Sequence, residues 1–239
     1  MKTDQTSFYL LFVGIITIFM AWGAGVLAGG SELSPKGSES ILIYKPPFRG
    51  APKSRVGGGV RGTGSDFSTL VVLAPEHTGL TLKEQPTLYW YLSSRTMTSL
   101  AISIVDDEQL QSLVEQRMPS QGGGIQRVRL ADLSVRLKPG VEYRWNVALI
   151  SDLEQRSNDI VASGSIKRVT ATGDLRERLK QAAPADGPRI LAAAGLWYDA
   201  MEAASELVEK YPEQVKLRRQ RAILLEQVNL KEVADLSYD

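Results

Sequence analysis

The sequence predicts a mainly β protein with appended α structure: an antiparallel β-sandwich followed by a C-terminal helical hairpin. Two observations predict it. Short β-type runs recur at close spacing between residues 69 and 169, separated by turn residues. After Thr172 the apolar residues change to helical spacing, interrupted by Pro and Gly at residues 183–188. The chain has 239 residues, which suits one mid-sized domain with a smaller module attached.

Residues 8–28 carry no charge and are just long enough to cross a bilayer as one helix. The apolar block fades into Gly and Ala, with Val26, Leu27 and Ala28 forming a small-residue cleavage site before Gly29. Residues 1–28 are therefore a signal peptide or an N-terminal membrane anchor, and either reading exports the rest of the chain. Residues 29–43 form a polar linker whose last positions, from Ile41 on to Tyr44, are apolar enough to pair as an edge strand. Residues 44–68 are a basic strap rich in Pro and Gly, where Pro46, Pro47 and Pro52 impose extended backbone.

The β region spans residues 69–172, with strands expected at 69–74, 87–92, 100–105, 125–130, 142–150 and 160–169. Tyr89 and Tyr91 alternate with Leu88, Trp90 and Leu92, as in a half-buried strand. Residues 109–116 fit a strand or a helical stretch equally well. The segment from Leu137 to Tyr143, leading to Trp145, resembles the tyrosine corner of immunoglobulin-like and fibronectin type III sandwiches, in which the Tyr hydroxyl bonds to backbone a few residues upstream. Trp90 then faces the same core, and its indole N–H needs a partner there.

Residues 173–239 are the helical region. Leu191, Leu196, Tyr198, Met201, Ala204, Leu207 and Val208 fall on one side of a helical reading, with Glu202, Glu206, Glu209 and Lys210 opposite. A second helix after Pro212 takes Ile223, Leu224, Val228, Val233 and Leu236 as its apolar positions. Gly195, Ala200 and Pro212, continued by Ala222, Asn229 and Ala234, sit at tetratricopeptide-like spacing, with fewer than two complete repeats.

Composition excludes several chemistries. The chain has no Cys and one His, so thiolate catalysis, disulfides, Cys-ligated metals and a His-based metal triad are out of reach. The 28 basic and 27 acidic side chains nearly cancel, and no whole-molecule field attracts nucleic acid.

Lys45, Arg49, Lys53, Arg55 and Arg61 surround Gly57, Gly58 and Gly59 with no acidic residue between Lys45 and Arg61. That composition fits an anion clamp, in which backbone N–H groups and forked guanidinium donors meet phosphate, sulfate or carboxylate. It fits an extended strap better, because the frame of a phosphate-binding loop is missing. Glu76 and His77 are adjacent in a turn and point different ways, which favours a solvated turn histidine over an acid–base pair. Asp106, Asp107 and Glu108 read as a charged turn, since the spacing of a calcium loop is absent. Asp152, Glu154 and Asp159 border another turn. Tyr89 and Tyr91 are the aromatics best placed for exposure, and Trp197 and Tyr198 either anchor a peptide or pack the hairpin onto the sandwich.

Four separated blocks carry a wider likeness: the basic Pro/Gly segment from Tyr44, residues 75–92, residues 137–145, and the motif GLWYDA at residues 195–200. Together they resemble the family of domain of unknown function 928, over most of the chain from about Tyr44 onward. The family's members are mainly exported cyanobacterial proteins, so the resemblance implies export and architecture and supplies no catalytic residue.

The expected function is that of a non-enzymatic protein-interaction or scaffold module of the cell envelope. Its expected partners are other envelope or exported proteins, with no cofactor, no metal and no nucleic acid, and with membrane contact only through residues 8–28. The alternative is an acidic-glycan or small-anion binding module using Lys45, Arg49, Arg55, Arg61 and the glycines between them.

Overall fold

A computed structural model describes residues 42–47, 69–93, 99–120, 122–150, 152 and 154–236. Among these, eight strands form two sheets and helices follow. The first sheet has the order β1 (Leu70–Val72), β3 (Thr87–Leu92) and β6 (Gly124–Arg129), all antiparallel. The second runs β2 (Gly79–Thr81), β8 (Ile160–Arg168), β7 (Glu142–Ile150), β4 (Ser99–Asp106) and β5 (Ser112–Pro119). Its pairings are antiparallel except that β2 runs parallel to β8. The helices are α1 (Gly173–Gln181), α2 (Gly187–Ala193), α3 (Trp197–Lys210), α4 (Val215–Glu226) and α5 (Lys231–Asp235). The fold is thus mainly β with appended α.

Strands β3 and β7 occupy the residues that their alternation predicts. Of residues 109–116, 112–116 belong to β5 and 109–111 to the turn before it, because pairing with β4 from Leu100↔Met118 to Ile104↔Val114 supplies the partner that local pattern lacks. β2 was not predicted: three residues are too few for a periodicity, and the strand exists through its pairing with β8. Gly79 in β2 is needed for packing, since a Cβ there would lie 2.6 Å from the ring of Tyr198.

β3 is buried on both faces, unlike the half-buried strand the alternation suggests. Leu88, Trp90 and Leu92 are at most 1% exposed and join the apolar core shared by both sheets. On the opposite face Thr87 donates from Oγ1 to Glu202 Oε1 of α3 at 2.8 Å, so that face is covered by the helix. Tyr89, expected to be exposed, is 3% exposed for this reason, while Tyr91 is half-buried.

Tyr143 accepts a hydrogen bond from the Lys138 backbone N–H at 3.1 Å, the contact its motif predicts. Trp90 faces the core as expected, yet among the described residues its indole N–H has no hydrogen-bond partner. The partnered indole is that of Trp145, which donates to the Tyr198 hydroxyl at 2.8 Å.

The helical reading from Leu191 to Val208 is corrected to two helices. Gly195, at φ +77°, breaks the chain between α2 and α3, in the left-handed region that glycine tolerates. Asn229, at φ +60°, separates α4 from α5 in the same way. Leu224, Val228 and Val233 are buried as predicted, whereas Leu236 is 54% exposed.

The expected edge strand near Tyr44 is also corrected. Residues 42–47 join no sheet and lie against the helices instead. Tyr44 N–H donates to Gln227 Oε1 at 2.8 Å, Gln227 Nε2 donates to the Leu42 carbonyl at 3.1 Å, and Lys45 N–H donates to the Ala192 carbonyl at 3.0 Å. The Ala192 carbonyl at the end of α2 already accepts from the Gly195 N–H at 3.0 Å, and its second lone pair takes the Lys45 N–H. The described residues belong to the compact unit Ser40–Asp239. None of their helices is long and apolar enough to cross a membrane, and residues 8–28 lie outside them.

Candidate functional site

Among the predicted site residues, Arg49, Arg55, Gly57, Gly58, Gly59 and Arg61 lie outside the described residues. Lys45 is described and exposed, its backbone tied to α2. Trp197 and Tyr198 are 0% and 1% exposed and are closed to any peptide. They pack the helices onto the sheets. Trp197 Nε1–H donates to the Leu73 carbonyl at 2.9 Å, and the Tyr198 hydroxyl donates to the Ser165 carbonyl at 3.0 Å while accepting from Trp145.

α3 is bound to the β structure along its length by polar side chains. Asp199 accepts from the Leu82 N–H at 2.9 Å, and Glu202 takes Thr87 on one oxygen and Lys83 on the other, at 2.9 Å. Near the end of the helix, Glu209 pairs with Arg127 of β6. Burial raises the Asp199 carboxyl to about 6, against the pull of the Leu82 and Thr81 hydrogen bonds. The placing of Glu202 on the face opposite the apolar side is therefore corrected: it is 6% exposed, whereas Glu209 is exposed as that reading has it. Glu202 lies where α3 covers the outer face of the first sheet, and its burial demands a partner. No sequence signal separates Glu202 from the solvated carboxylates Glu206 and Glu209, because a helix covered on two sides loses its simple amphipathic pattern.

Where α3 leaves the sheet, a cleft of about 290 Å³ opens between β3, β6 and the last helices. Tyr89, Tyr91 and Ile125 form its sheet-side wall, with Val233 and Leu236 on the helical side. Its polar groups are Arg127, Glu209, Ser205 and Arg221. Arg127 is occupied by Glu209, which holds its guanidinium more firmly protonated, and by contact with Tyr89. Burial raises the Tyr89 phenol to about 12 and lowers the Arg221 guanidinium from its ordinary value. The Ser205 hydroxyl and Arg221 Nε are buried and have no hydrogen-bond partner among the described residues.

The second concavity, of about 120 Å³, lies where residues 42–47 meet the turn around His77. The Tyr44 hydroxyl lies 2.8 Å from His77 Nε2, and the two rings stack with centroids 5.8 Å apart. Tyr44 also meets Trp197 edge-on at 5.2 Å. Burial lowers the His77 pKa, partly offset by Glu76, and raises that of Tyr44, so both rings are held in their neutral forms and share one proton-bearing contact whose direction follows the imidazole tautomer. Glu76 turns the other way and accepts from Asn229 at 3.3 Å.

The remaining acidic candidates serve turns. Asp106 Oδ1 accepts from the N–H groups of Glu108 and Gln109, and Asp107 pairs with Arg144 at 2.6 Å. Asp152 accepts from the Glu154 N–H at 2.8 Å, and Asp159 pairs with Arg156 at 2.5 Å.

The family model described as Domain of Unknown Function (DUF928) matches residues 56–237, more than half of the chain. The chain belongs to that family. No curated protein matches it. The DUF928 match takes in both sheets, the helices and every lining residue of the larger cleft, and leaves out Tyr44 and Lys45.

Proposed function

We propose that this DUF928 chain is an exported, non-enzymatic protein-interaction module of the cell envelope. The observation that carries the reading is the fate of its acid–base side chains. Tyr198, Asp199, Glu202 and the Tyr44–His77 pair are each committed to a bond that fastens one element to another. The helices are thereby held against the sheets as a rigid surface, which suits binding more than turnover. Export is supported by the uncharged run of residues 8–28, long enough for a signal or an anchor.

An immunoglobulin-like sandwich is the finer fold reading, supported by the Tyr143–Lys138 hydrogen bond and by the core that two sheets share. The parallel β2–β8 pair is its departure from an all-antiparallel pattern. α3 and α4 fit a tetratricopeptide-like hairpin, with Tyr211 in their connection and Val215 at the start of α4, 41% and 57% exposed. Apolar groups exposed on a fixed helical end are suited to contact another envelope protein.

The test is crosslinked capture from the native envelope by the full chain and by a Tyr211→Ser, Val215→Ser double variant. One defined protein partner, held by the parent chain and lost by the variant, is the expected result. Equal capture by both forms would remove the helical end from the reading. A hydrolytic or transfer activity of the purified chain that disappears in Asp199→Asn would replace the reading with an enzyme.

A further inference from the structure

The cleft between β3, β6 and the last helices has a charge arrangement that its own residues do not balance. Glu209 pairs with Arg127 and reaches Arg221 only through space, and among the described residues Arg221 makes no ion pair, so the lining carries two cations against one carboxylate. Arg221 Nε is buried without a hydrogen-bond partner among the described residues, and so is the hydroxyl of Ser205, a residue 1% exposed. A guanidinium donor and a hydroxyl withdrawn from water and left unbonded are each costly. Their opening onto one cleft gives both a common remedy, an anion that accepts from each.

We infer that this cleft is a binding site for a carboxylate carried on an apolar body. A guanidinium offers paired donors that match the two oxygens of a carboxylate, and the Ser205 hydroxyl adds a third donor from the neighbouring helix. Ile125, Val233 and Tyr91 supply walls for the apolar part. The volume, about 290 Å³, accommodates a group the size of one amino acid. The carboxylate can come from a small free acid or from the end of a peptide chain. The inference does not depend on the interaction reading, which concerns the connection between α3 and α4.

Titration calorimetry on the full chain with three probes tests it. Isocaproate represents the free acid, N-acetyl-leucine the peptide end, and N-acetyl-leucinamide the same body without charge. At least one acid is expected to bind roughly 10-fold or more tighter than the amide, and Arg221→Met to weaken that acid by a similar factor. Ser205→Ala is expected to weaken it about threefold, and added salt to weaken it further. Preference for N-acetyl-leucine over isocaproate assigns the site to peptide ends, and the reverse assigns it to free acids. Equal binding of acid and amide, or binding of neither acid, overturns the inference on the parent chain alone, whether or not Arg221→Met folds. An acid affinity unchanged in a folded Arg221→Met overturns it as well.

Discussion

Replacing Tyr198 by Phe removes one oxygen from the interior and tests how the helices are joined to the sheets. The hydroxyl accepts from Trp145 Nε1–H at 2.8 Å and donates to the Ser165 carbonyl at 3.0 Å, and Trp145 is 0% exposed. Without it the indole N–H is buried with no partner, at a cost of about 1–3 kcal/mol. The Ser165 carbonyl adds less, since a second lone pair remains available to it. The ring itself stays, so no cavity larger than the lost oxygen opens. The expected destabilisation is roughly 2–3 kcal/mol, which for a chain of this size lowers Tm by about 4–12 °C. Urea unfolding followed by Trp fluorescence measures it, with the midpoint falling at constant slope. A loss below about 0.5 kcal/mol would refute the reasoning, because it would mean that the indole finds water or another acceptor and that the hydroxyl is not a fastening.

Other expectations concern pH and packing. Asp199, raised to about 6 by burial, is protonated more readily in the folded than in the unfolded chain, so its contribution favours the fold at low pH and is lost as pH rises to about 6. Stability of the parent chain relative to Asp199→Asn should therefore fall by roughly 2 kcal/mol between about pH 4 and pH 7, and a flat difference would contradict the burial. His77 has the opposite sign: its pKa is lowered, so its contribution is present above the ordinary histidine range and is lost as pH falls. The protection of the Tyr44 and Lys45 amides against exchange, relative to the intrinsic rate at each pH, should fall from about pH 8 to about pH 5, and less so in His77→Gln. Gly195→Ala combines a φ of +77° with a Cβ 2.8 Å from the Lys45 carbonyl, and should cost about 1–3 kcal/mol in thermal unfolding while releasing residues 42–47 to proteolysis. The Arg127–Glu209 pair, with both side chains about half exposed, should contribute no more than about 1 kcal/mol in a double-mutant cycle.

Much of the β region was legible because its signals are local. Strands β3 and β7 follow period-2 alternation, and the bond from Tyr143 to Lys138 spans five residues. The helix breaks at Gly195 and Asn229 depended on φ values that the residue types permit without requiring. The larger cleft was not legible. Its walls come from β3, β6, α3, α4 and α5, and Arg221 sits in a run with Arg218 and Arg219 that no local rule divides. Trp197 and Tyr198 stood equally for a peptide anchor and for packing, and only the neighbours brought against them decided between the two.

By itself the sequence determined which chemistries are closed to this protein, the order of β before α, and most strand positions, because composition and short-range periodicity act within a few residues. The tertiary structure decided the partners. It turned Glu202 and Glu209 toward a sheet, laid residues 42–47 on helices instead of on a strand edge, paired the indole of Trp145 and left that of Trp90 without a described partner, and brought Arg221 and Ser205 to one cleft. Each of these depends on which surfaces lose their water when distant segments meet, and burial is a property of the assembled chain that no single stretch of it carries.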